Sequence, residues 1–139
     1  TMEYLETKRV EVIGYKTNYL PAFYSEKSNS YVNHRLDTPE EIANLLAVKW
    51  RLNLKGGVLV TNPIPSEYSM DSEIIDKAIN DALSEMDKLG ISGNKTTPYL
   101  LAKICELTGG DSLDSNIKLV FNNCKLASQI AVNLSKYSE

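Results

Sequence analysis

At 139 residues the chain is sized for one domain, and 42% apolar with 24% charged residues describes an ordinary globule able to form a core. A net charge of −3 and a pI near 5.2 argue against nonspecific nucleic-acid binding, which needs a basic surface. No apolar run approaches ~18 residues, so no membrane span is expected.

Residues 2–7 read as a short helix, and the opening TMEYLETKRV carries no basic-then-apolar leader. Such a start is expected of a chain that begins inside a larger fold. Arg9–Gly14 (RVEVIG) is a strand candidate, with valines at alternate positions and isoleucine beside them. Asn18–Tyr24 and Tyr31–Leu36 are weaker extended candidates, separated by the polar turn SEKSNS. His34, the single histidine, reads as a surface or packing residue.

DTPEEIANLLAVKWRLNLKGG opens with a clear helix signal. Thr38 can accept a backbone N–H, Pro39 fits the first helical position, and Glu41 can reach back to the cap, which makes a capping box. Ile42, Leu45, Leu46 and Trp50 form one apolar stripe, and Gly56-Gly57 is expected to end the helix. VLVT (58–61) reads as a buried strand, and strand, crossover helix, strand suggests a parallel unit. NPIP (62–65) cannot continue a ladder, so it is a rigid loop at the strand's C-terminal end. That edge is where open α/β sheets bind ligands, although a plain connection to the next helix fits equally.

Residues 71–89 form a second long helix closed by Gly90, with Ile74, Ala78, Ala82, Met86 and Leu89 on its apolar face. ISGNKT is a loop. Thr97-Pro98 opens a third helix that runs to Leu107 and is capped by Gly109, and Ser112 caps a last helix to about Tyr137. Cys105 and Cys124 fall in helical patterns without a CxxC pair and read as reduced core thiols. Two or three strands against four helices make a lopsided sheet. The expected class is α/β, layered α/β/α with a mixed or mostly parallel sheet, incomplete in this chain alone.

At ~100° per residue, Asp114, Lys118, Asn122, Lys125, Gln129 and Asn133 cluster on one side of the last helix, the expected wet face. Leu113, Ile117, Val120, Cys124, Ala127, Ala131 and Leu134 share the other. Asn116 and Asn123 fall inside the apolar arc, two turns apart. A buried carboxamide without partners costs ~1–3 kcal/mol and has both donor and acceptor atoms to satisfy. Each could bond a neighbouring loop backbone, or face a cleft and bind a ligand's hydroxyl, carbonyl or imide. Asn116, read as lying in the first turn, would be helped by the helix N-terminus.

YLET with IGYKT, RLDTPEEIA, VKW with GGVLVTNPIP, KTTPYLLAKICELTGGDSL and SNIKLVFNN occur together in one order. In that order and spacing the chain resembles the C-terminal half of the pseudouridine-5′-phosphate glycosidases, a family also described as indigoidine-synthase-A-like. The resemblance runs from about Glu3 to about Ala131, and ELTGGDSLDSNI with NPIP is its specific part. It implies that residues 1–139 are the C-terminal portion of one such domain.

The implied activity is reversible cleavage of the C–C glycosidic bond of pseudouridine 5′-phosphate to uracil and ribose 5-phosphate. A C–C glycosidic bond lacks the leaving heteroatom that two carboxylates exploit in ordinary glycoside hydrolysis. The resemblance implies a lysine Schiff base with ring-opened ribose as the electron sink, a glutamate acid/base and a divalent metal, typically manganese. The lysine and glutamate are expected upstream of residue 1, since Lys8 and Lys16 come after the matching point, so no catalytic residue is expected in this chain. No metal-ligand cluster accompanies His34, and the metal is expected on residues outside this chain. Asn116 matches the asparagine of the family's SNI motif and is implied to contact substrate. Asn123 matches the second of its NN pair, as a substrate-side or bracing residue. The implied partners are the N-terminal half of the same enzyme and further copies in a homotrimer, in the cytoplasm. The alternative is a non-catalytic assembly or binding subunit of the same fold.

Overall fold

The computed structural model describes residues 2–22, 24–26 and 28–137. Contacts gather into two compact units. The first holds the strands, the first two helices and the last helix from Val120 onward, and the second holds Ile64–Leu119 with the short segment around Tyr24.

The first unit is built on a parallel sheet of β1 (Glu11–Tyr15), β2 (His34–Leu36) and β3 (Val58–Thr61), in the order β2-β1-β3. Ile13 sits opposite His34 on one side and Val60 on the other. Val12, Ile13 and Gly14 are buried, as a central parallel strand requires with both faces covered. The α/β class and parallel pairing expected from the strand–helix–strand pattern are what the chain forms.

Helix α1 (Met2–Thr7) leads into β1. The strand starts later than Arg9 because Arg9 takes a positive φ of 56° and turns the chain, with Val10 N donating to Leu5 O. Of the two weaker extended segments, the second shrinks to β2, and the first contributes only an isolated antiparallel bridge between Tyr19 and Tyr31. Their rings stack with centroids 4.9 Å apart. Phe23 and Lys27, in that first segment and in SEKSNS, lie outside the described residues. His34 is exposed and its Nε2 lies 3.1 Å from Glu11 Oε1 on the neighbouring strand. Asn33, which the sequence did not single out, accepts from Val12 N and donates to Glu6 Oε1, tying α1 to β1.

Helix α2 (Pro39–Arg51) has the capping box the sequence announces. Thr38 Oγ1 accepts from Glu41 N at 3.2 Å, and Glu41 Oε2 accepts from Thr38 N at 3.0 Å and Asp37 N at 2.9 Å. These N–H groups hold the Glu41 carboxyl below the ordinary carboxylate range, Asp37 N contributing most. Ile42 is buried and Leu45 and Leu46 are half-buried, but Trp50 is exposed. The helix also stops before Gly56-Gly57. Asn53 takes a φ of 56° and ends it, since asparagine tolerates the left-handed region that a C-terminal turn needs. β3 is only half-buried, with Leu59 exposed. Its outer edge has no strand neighbour among the described residues, which is why it departs from the buried strand expected.

Helix α3 (Ser72–Lys88) and helix α4 (Thr96–Leu107) build the core of the second unit. Tyr24, Ile75, Ala82 and Ile104 are its buried members, with Met70, Ile79, Leu100 and Leu101 packed around them. Asp71 caps α3 by accepting from Glu73 N and Ile74 N. Ala78, Ala82 and Met86 are buried on the face expected, which differs only at its ends. Ile75 is inside, while Ile74 and Leu89 are exposed. Cys105 is half-buried, and Cys124 is exposed rather than in the core.

Gly14 fixes the return from β1. A Cβ there would clash with the Thr17 carbonyl oxygen and lie 2.9 Å from Val32 Cγ2. Gly14→Ala is expected to destabilise the chain by ~1–3 kcal/mol, the range for forced overpacking. A denaturant melt checks this, and an unchanged midpoint would show that the loop yields without cost.

Lys103 Nζ joins α4 to α3 through Glu85 Oε2 at 3.0 Å. The hydrogen bond from Lys103 is the largest cause that lowers the Glu85 pKa from its ordinary 4.5. A lowered folded pKa means that protons bind the unfolded chain more tightly, so this contribution is fully present above the ordinary carboxylate range. It fades as pH falls through the lowered folded value. Thermal melts across that acid window are expected to show a steeper loss for the wild type than for Glu85→Gln, and identical slopes would remove Glu85 from the account.

Candidate functional site

The last helix, α5 (Asp111–Ser135), carries every carboxamide that the sequence nominates. Its inward side differs in part from the one expected, although Leu126 is buried and Asp114, Lys118, Lys125 and Gln129 are exposed as expected. Ser112, Ser115, Leu126 and Asn133 are buried, whereas Leu113, Ile117, Val120, Phe121 and Val132 are exposed. Periodicity gives each residue's angle about the axis, but it does not say which part of the circumference turns inward. The buried side here takes Leu126 from the expected apolar arc together with Asn133 from the expected wet face.

The buried polar groups are acceptable because each is paired. Asn133, expected in water, donates to Gln129 O at 2.9 Å and accepts from Lys136 Nζ at 2.8 Å. Ser115 Oγ donates to Tyr68 O at 2.9 Å. Asn122, also expected in water, is half-buried and donates to Pro63 O at 3.0 Å.

In the first unit, two consecutive carboxamides therefore brace the NPIP loop beyond β3. Asn122 holds the Pro63 carbonyl, and Asn123 Oδ1 accepts from Asn62 Nδ2 at 3.2 Å. Pro63 has no backbone N–H, and a carbonyl beside it needs a partner from outside the ladder. Asn123 itself is exposed, so it does not brace a core as its place in the apolar arc suggested. Its partner is the loop.

In the second unit a cavity of about 350 Å³ opens between the segment before α3 and the start of α5. Glu67, Asp71, Asp111 and Asp114 stand around it, with Thr108 and Ser115 between them. Four carboxylates make this cavity unfavourable for a phosphate.

The start of α5 offers no anion site either. Ser112, expected as the cap, lies inside the first turn, and its N–H meets the Thr108 hydroxyl at 3.3 Å. Asp111 N donates to Thr108 O, and Leu113 N and Asp114 N donate to Gly110 O. All four N–H groups that a helix leaves over are thus in use. Because the helix begins two residues earlier than expected, Asn116 lies in its second turn. Its carboxamide is half-buried, forms no hydrogen bond among the described residues and is not part of the acidic cavity.

Among the described residues no three His, Cys, Asp or Glu side chains converge on a point that could hold a metal ion. The donor set of the described residues therefore does not fit a divalent ion. Among the described residues no helix is long and apolar enough to cross a membrane.

Sequence comparison matches the family described as "Indigoidine synthase A like protein" over residues 1–133. A pseudouridine-5′-phosphate glycosidase of Hahella chejuensis is 56% identical over 133 residues, which is 96% of this chain and 44% of that protein. One from Clostridium botulinum is 52% identical over all of this chain and 45% of its own length. Among solved structures, the prealnumycin C-glycosynthase AlnA in complex with ribulose 5-phosphate superposes with a TM-score of 0.87 at 33% identity. The match covers 99% of this chain and 45% of that one. An indigoidine synthase A-like protein from Thermotoga maritima gives a TM-score of 0.84 at 34% identity, over 96% of this chain and 44% of its own. The chain thus spans under half the length of the relatives it matches.

The two loop contacts separate in energy. Asn122→Ala removes a part-buried bond and is expected to cost ~1 kcal/mol, whereas Asn123→Ala, at an exposed position, is expected to stay within ~0.5 kcal/mol. Urea melts of both variants decide this, and an equal loss in the two would make the Asn62 contact as structural as the Pro63 one.

Proposed function

We propose, since this chain belongs to the indigoidine synthase A-like family, that it is the C-terminal portion of an enzyme acting on pseudouridine 5′-phosphate. That enzyme reversibly cleaves the C–C glycosidic bond to give uracil and ribose 5-phosphate. The observation that carries this reading is the 52–56% identity to pseudouridine-5′-phosphate glycosidases over nearly the whole chain.

Within it, Asn116 is the substrate-contacting residue of this chain. Its half-buried carboxamide has one acceptor and two donor hydrogens, all uncommitted among the described residues, and an imide such as uracil's presents the complementary pattern. Asn123 acts one step back, on the loop, through Asn62. The reacting groups belong to the rest of the enzyme. A lysine there forms a Schiff base with the ring-opened sugar, giving the carbon–carbon bond the electron sink it lacks. A glutamate there moves the proton, and a manganese-like divalent ion is held by residues outside this chain. These three features, a homotrimeric assembly and a cytoplasmic location are supported by the family resemblance alone.

Asn116→Ala in the complete enzyme is expected to lower turnover by ~10-fold or more while leaving the melting temperature nearly unchanged. A loss of ~2 kcal/mol in stability with normal specific activity of the folded fraction would make Asn116 structural. Borohydride with ribose 5-phosphate is expected to trap no adduct on this chain alone. A stable adduct there would mean that one of its own lysines is the nucleophile, and unchanged turnover on removing this chain would favour a non-catalytic subunit.

A further inference from the structure

We propose that the outward face of α5 from Val120 to Val132 is the docking surface for the part of the family polypeptide that lies outside this chain. The inference rests on family membership, not on the activity proposed above.

A helix on a globule turns its polar side to water. This segment also turns apolar side chains to water, beside its exposed Lys125, Ser128 and Gln129. Phe121 is 66% exposed and Val132 64%, on one line of the helix with Lys125 and Ser128 between them. Val120, Cys124, Ala127 and Ala131 form the adjoining row and are exposed as well. Single exposed apolar residues are ordinary, but a row in helical register along one face marks a contact surface. The inward face is already engaged, with Leu126 and Asn133 buried and Asn122 bonded to Pro63. The outward row is therefore not a misplaced core face. Its small residues let a backbone approach closely, while Phe121 and Val132 give larger anchors at its two margins.

Size selects the occupant. The segment rises ~20 Å, so a strip ~10 Å wide offers ~200 Å², against the ~800 Å² that each partner of a stable complex buries. This is too little for a self-standing dimer of the chain but suits one strip of a fold's internal packing. The relatives supply such a neighbour. Each matches this chain at high identity over 44–45% of its length, so more than half of its polypeptide lies elsewhere. The expected partner surface is mainly apolar, with a polar or acidic group opposite Lys125.

The test co-expresses this chain, tagged, with the portion of the Hahella chejuensis glycosidase outside the match. The two are expected to co-purify. Phe121→Glu and Val132→Glu should each reduce capture about tenfold or more, with the melting temperature of the isolated chain unchanged, and Lys77→Glu on α3 should leave capture intact. Cys124 gives a readout without substitution. Its labelling by a maleimide should slow in the captured complex relative to the free chain, and this decides the matter if either variant misfolds. Failure of the wild type to capture the fragment, capture indifferent to both substitutions, or Cys124 labelling at the free-chain rate within the complex would each overturn the proposal. So would self-association of the chain alone that Phe121→Glu abolishes. The readout needs no turnover, so a complex that assembles but is inactive would count against the proposed function only.

Discussion

Burial of β1 between two parallel neighbours is the constraint on which the first unit depends. Parallel strands cannot be joined by a tight turn, so each connection must leave the sheet and come back. On one side no helix makes that return among the described residues, and it is held by the absence of a Cβ at Gly14 and by the Asn33 carboxamide on Val12 N. On the other side α2 makes it, started by a complete capping box and stopped by Asn53. Because β1 sets the register of both partners, it also sets where β3 ends, and hence where the NPIP loop begins.

That loop is where sheet and last helix meet chemically. Prolines stiffen it and remove donors, and Asn122 and Asn123 replace the missing ladder with side-chain bonds to Pro63 and Asn62. The same helix carries three rows with different work. Ser115, Asn122 and Asn133 face inward with hydrogen-bond partners, Asn116 stands half-buried with none among the described residues, and an apolar row faces out. A helix of this composition is consistent with an element flanked on both sides in the larger polypeptide of its relatives.

Electrostatics narrow what this chain can contribute. Carboxylates surround its cavity, and the N–H groups at the start of α5 are consumed by Thr108 and Gly110. Neither feature welcomes a phosphate. The contact proposed for Asn116 is neutral recognition by a carboxamide, which suits a base or a sugar hydroxyl better than an anion.

The residue sequence by itself determined the local events. The capping box at Thr38 and Glu41, the stop near Gly90, the rigid NPIP loop, and the motif set that identifies the family all depend on neighbours a few positions apart. So did the angle of each residue about its helix, because that follows from rotation about one axis. Only the tertiary structure decided which part of the circumference turns inward. Ile75 rather than Ile74 is buried, Asn122 meets a loop rather than water, and Trp50, Phe121 and Cys124 stand exposed. The reason is that burial is a property of what lies across from a residue. For Asn122 and Asn123 that partner is some 60 positions away, at Pro63 and Asn62.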